Sequence, residues 1–112
     1  MPRSWIALAL VGQAAASAGW WIVLATVPAS RAYFPDAGAF WLADVALIAT
    51  TLAAAFAVWR ARAWATAALW LSAGAIGYAA LYCVVAGTPI AIALMLPSAA
   101  VAIGLARIGA RA

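Results

Sequence analysis

Histidine, lysine and glutamate are absent from this 112-residue chain, cysteine occurs once, and the acidic residues are only Asp36 and Asp44. Each absence removes a class of chemistry. Without lysine no Schiff base to retinal or another aldehyde can form. Without histidine there is no imidazole ligand for haem, zinc or copper and no imidazole proton relay. Cys83 alone excludes an intrachain disulfide, a paired-cysteine redox centre and a cysteine-rich metal site. Two carboxylates are too few for a hard-metal site, and phosphate-cradling loops of the P-loop or Rossmann type are missing. No metal and no cofactor is therefore expected. Enzyme chemistry is poorly supported as well. General acid–base catalysis needs two groups with separated pKa values, and the candidates reduce to Asp44 with Asp36, a tyrosine or Cys83, whose thiol has no histidine to activate it.

What remains is apolar. Hydrophobic residues make up 71% of the chain and charged residues 7%, against about 25% charged in a globular norm, and the mean hydropathy is +1.15. Alanine, leucine, isoleucine and valine favour helix, and the alternation of a membrane barrel is absent. The fold class expected is all-α: a single transmembrane domain over residues 1–112, built as a four-helix bundle.

Punctuation in the sequence sets the helix limits. Trp5 to Val27 is an apolar run of 23 residues, longer than the roughly 20 needed to cross the hydrocarbon. A rival reading takes residues 1–18 as a cleaved secretory signal ending at Ala16-Ser17-Ala18, but the run continues through Trp20 to Leu24, which favours a retained span. Pro28-Ala29-Ser30 ends this helix, and a connection follows to about Gly38. The second helix is expected over 39–59, the third over 63–86 after the tight Arg60-Ala61-Arg62 turn, and the fourth over 89–105 after Gly87-Thr88-Pro89. Pro97 interrupts the fourth and leaves the Ala93 carbonyl without its donor.

All positive charge is arginine. An up-down-up-down bundle with both termini inside puts Arg3, Arg60, Arg62, Arg107 and Arg111 on the cytoplasmic face and Arg31 outside, as the positive-inside rule requires. A bacterial cytoplasmic (inner) membrane is the expected location. Six scattered arginines make no basic stripe, so nucleic acid is not an expected partner despite a pI near 10.3. Membrane lipid is one expected partner; another membrane protein or a second copy of the chain is the other.

Helices in lipid gain little from apolar contact, so small residues and a few hydrogen bonds must join them. Gly12 and Gly19, on a stripe with Ala9 and Ala16, and Gly74 and Gly77 on the third helix are the expected packing positions. Gln13, Ser17, Thr50, Thr51 and Ser98 are expected to bond between helices or back to their own carbonyls, at about 0.6 kcal/mol each.

Asp44 is the one unusual charge. It lies roughly 9 Å below the outer boundary at about 1.5 Å per residue, where a lipid-facing carboxylate would cost up to about 2.5–3.5 kcal/mol. Depth counting puts Trp20, Trp21, Tyr78, Tyr82 and Cys83 in the same layer, Trp41 at the interface, and Arg31 within reach on the connection. Two readings follow. In one, Asp44, Arg31, Trp20, Trp21, Trp41, Tyr78 and Tyr82 form an outward-facing pocket for a small amphipathic or cationic molecule. In the other, Asp44 caps a helix or pairs with Arg31 or a tyrosine to pin the bundle; this demands less, because the cost near the boundary is small. The corresponding functions are a non-catalytic subunit or scaffold of a membrane complex, placed first, and a small-molecule or ion binding protein, transporter or channel working as a homo-oligomer.

Overall fold

A computed structural model describes residues 2–29, 41–86 and 89–111. Those residues form four helices and no strand: α1 Arg3–Thr26, α2 Trp41–Trp59, α3 Ala65–Ala86 and α4 Pro89–Arg111. All four are long and apolar enough to cross a membrane, which makes this an integral membrane protein. The connection carrying Arg31 and Asp36 lies outside the described residues.

The α2–α3 turn is shaped by its hydrogen bonds. Arg62 N–H reaches the Ala57 carbonyl at 2.9 Å, and Ala61 N–H reaches that of Val58 at 3.2 Å. This is the paired closure of a helix end that places the intervening residue in the left-handed region, and Ala61 accordingly has φ 51°. Alanine occupies a position that glycine takes without steric cost. Beside the turn the Arg62 guanidinium stands over the Phe56 ring, 5.9 Å from its centroid, while Phe56 also meets Trp64.

α4 runs six residues past its expected end at Leu105. Gly104 does not stop it, because the penalty of about 1 kcal/mol for a helical glycine is offset by packing of Ala102, Leu105 and Ala106, all buried. Farther along, Gly109 lies so close to the Leu69 side chain of α3 that a Cβ would collide. The glycine that receives a side chain from a neighbouring helix is thus Gly109. Gly12, Gly19, Gly74 and Gly77 have nothing within 4 Å of the position a Cβ would take. The packing role expected of those four is not found within one copy of the chain.

The bundle is tight at one end. Arg3, Ala61, Arg62 and Gly109 line one small cavity of about 270 Å³, so the start of α1, the α2–α3 turn and the end of α4 lie together. The main core starts from this end, joining Ile6 and Leu10 to Ala54, Val58, Leu69 and Leu105, and continues along α2 and α3 to Leu47, Ile76 and Ala80. Within it the Thr51 and Ser72 hydroxyls, both buried, bond across α2 and α3 at 2.7 Å. A second, smaller cluster sits at the other half, where Leu24 and Cys83 are buried among Trp20, Trp21, Ile92 and Met95.

Ala61→Gly should raise the thermal unfolding midpoint of the detergent-solubilised protein, by a stability gain of about 0.5–1 kcal/mol. Circular dichroism melts against the wild type check it; a lowered midpoint would show that the left-handed turn is not the native one.

Candidate functional site

A cavity of about 820 Å³ lies among all four helices. Its wall on α1 runs from Ala9 to Val23, about 21 Å of helix at 1.5 Å per residue. Ala9 packs on the main core, whereas Gly12 has nothing within 4 Å of where a Cβ would lie; small side chains leave space. α2 contributes residues from Ala43 to Thr50, and α4 contributes Leu94, Met95 and Ser98; of these, Leu47 belongs to the main core and Met95 packs on it. Gly12, Ala16, Ala46, Tyr78 and Leu94 line the cavity and are also exposed, so it opens sideways through the bundle wall. In a membrane, that opening meets lipid.

The lining is largely apolar, with a few polar groups. Asp44 stands at the Trp20–Trp21 level, and its Oδ2 accepts a 2.6 Å hydrogen bond from the Trp21 indole Nε1. An indole N–H is a donor only and a carboxylate an acceptor only, so the pair has one possible sense. A bond to a charged acceptor is worth roughly twice a neutral one, and it joins the end of α1 to the start of α2. Gln13 reaches across to α4, its Nε2 donating to the Ser98 carbonyl at 3.1 Å. The Thr50 and Ser98 hydroxyls turn back to the Leu47 and Leu94 carbonyls of their own helices.

Of the residues expected at the site, Asp44, Trp20, Tyr78 and Tyr82 line the cavity, and Trp21 holds Asp44. Tyr78 sits at the mouth, 68% exposed. Arg31 and the Trp41 side chain lie outside the described residues. Gln13, Ser17, Thr50 and Cys83 also line the cavity; the first three were expected only as hydrogen-bonding groups between or within helices, and Cys83 only by its depth. No three His, Cys, Asp or Glu side chains come together among the described residues.

Trp21→Phe keeps the ring and removes the donor, so it should lower stability by about 1.5–3 kcal/mol, in line with losing a bond to a charged group. Trp20→Phe should cost clearly less. Thermal melts of the two variants in one detergent compare them, and equal losses would deny the indole–carboxylate bond its role. Comparison with protein-family models, with characterised proteins and with solved structures gives no match.

Proposed function

We propose that this chain is a non-catalytic binding protein of the membrane whose cavity takes a cationic amphiphile, entering sideways from the lipid, with Asp44 as the anchor of its charge. The observation that carries this is the cavity itself. Its volume, about 820 Å³, falls in the range of about 300–1,000 Å³ usual for small-molecule sites, and its apolar walls carry a single carboxylate near one end. An ammonium group at Asp44 offsets the cost of an acid inside the bilayer, while the ligand's hydrocarbon replaces lipid against the walls. Arginine distribution supports the up-down-up-down arrangement with both termini in the cytoplasm of a bacterial inner membrane.

A second reading is a subunit or scaffold in a complex or homo-oligomer. It is favoured by Gly74 and Gly77, which leave part of α3 open to a neighbouring helix backbone with nothing within 4 Å. The two readings are compatible, since a small carrier can work as an oligomer.

Saturable uptake of labelled decylammonium by the chain in lipid nanodiscs, measured over empty nanodiscs, tests the binding site. Asp44→Asn should weaken it by about tenfold or more, as expected for losing a charge-assisted contact. Equal binding by wild type and Asp44→Asn would overturn the reading, and co-purification of a different chain with no decylammonium site would favour the scaffold.

A further inference from the structure

The smaller cavity, of about 270 Å³, is walled by two arginines, Arg3 at the start of α1 and Arg62 in the α2–α3 turn, together with Thr66 at the start of α3. None of the described residues lining it is acidic. Asp44, the only acid among the described residues, stands fifteen residues before the end of α2 at Trp59, about 22 Å of helix at about 1.5 Å per residue. Two helix starts and two helix ends meet around this cavity, so their dipoles largely cancel. Its charge is therefore that of the two guanidinium groups. Like charges brought to one cavity repel, and an anion from outside the chain offsets this.

The donors are of the kind that suits phosphate. Arg62 is held beside the cavity by the Phe56 ring under its guanidinium, and Phe56 in turn meets Trp64. A guanidinium presents its N–H groups as a planar fork, which a phosphate can engage two at a time. The surroundings fix the depth. Trp5, Trp59 and Trp64, each within two residues of the cavity wall, are exposed, as tryptophans are at the level of lipid headgroups. Leu8 and Phe56, each about one turn deeper, are exposed as well and offer apolar surface for acyl chains. The volume falls below the roughly 300–1,000 Å³ usual for whole small molecules, which suits a headgroup.

We propose that this cavity binds the headgroup phosphate of an anionic phospholipid, with Arg3 and Arg62 sharing its charge and the acyl chains lying outside along α1 and α2. Basic pockets between spanning helices receive anionic headgroups in this way, above all on the cytoplasmic side, where the orientation proposed above puts this end of the bundle. The site stands apart from the cavity beside Asp44 and requires nothing of it. Selectivity follows from charge: phosphatidylglycerol brings one net negative charge, whereas the choline of phosphatidylcholine carries an ammonium that two guanidinium groups repel.

Native mass spectrometry of the full chain released from detergent micelles, titrated with phosphatidylglycerol or with phosphatidylcholine of the same acyl chains, tests the proposal. Phosphatidylglycerol should fill one saturable site about tenfold or more tighter, as expected for two arginines near a membrane surface. The double variant Arg3→Gln/Arg62→Gln should lose this preference. Arg60→Gln/Arg107→Gln, which removes two charges from the same end at residues that do not line the cavity, should keep it. Inorganic phosphate, compared with chloride at equal ionic strength, should displace little of the lipid. Equal binding of the two lipids, a preference that survives the first double variant, or one lost equally in the second overturns the site. Full displacement by inorganic phosphate shows that the anion alone is the ligand and overturns the lipid assignment. Should the first double variant not fold, Arg3→Gln alone decides: it should weaken phosphatidylglycerol binding about fivefold, and unchanged binding overturns the proposal.

Discussion

A carboxylate carried into a bilayer must be given a donor from within the protein, and the Trp21–Asp44 hydrogen bond meets that requirement by tying α1 to α2. It belongs to a set of three. Thr51 and Ser72 tie α2 to α3, and Gln13 and the Ser98 carbonyl tie α1 to α4. Between them these bonds touch every helix. The remaining neighbours, α3 and α4, are joined by packing, with the bare backbone of Gly109 against Leu69. In a solvent as apolar as the side chains themselves, directional bonds and close fit are what distinguish one helix arrangement from another.

Those ties act on a bundle whose core, reaching Leu47, Ile76 and Ala80, borders a cavity that extends to Asp44. Around the α2–α3 turn, Ile6, Leu10, Val58, Leu69 and Leu105 interlock into a core. Toward Asp44 small residues such as Gly12, Ala16 and Ala43 line the cavity alongside larger ones, Trp20, Leu47, Ile76, Tyr82 and Met95. Small residues permit close approach only if two helices are brought together along them. Trp20, Trp21, Ile92 and Met95 gather around Leu24 and Cys83, while Ala9, Gly12 and Ala16 form part of the cavity wall. The same residues that reduce packing therefore make room for a ligand.

Much of this was legible from composition and order of residues. Four apolar runs separated by proline, glycine and arginine locate four helices, since little else in the chain can satisfy backbone groups in lipid. Counting depth from the ends puts Asp44 level with Trp20, Trp21, Tyr78 and Tyr82. Three things were not legible. Which of two adjacent tryptophans bonds the carboxylate depends on rotation of α1, which spacing alone does not give. The extension of α4 past Leu105 goes with packing that spacing does not show, such as Gly109 against the Leu69 side chain, residues forty apart in sequence. Whether a small-residue stripe meets another helix or empty space depends on the bulk of residues elsewhere in the bundle, so Gly12 is read one way in sequence and another in space.

The claim on which the account turns is that a ligand-sized space exists beside Asp44 within the bundle. Filling it is the most direct measurement. Ala16 lines the cavity and is exposed, so Ala16→Phe should fold with an unchanged thermal midpoint and lose saturable decylammonium binding in nanodiscs. Full binding by that folded variant, or a collapse in stability showing that the position is already packed, would contradict the account.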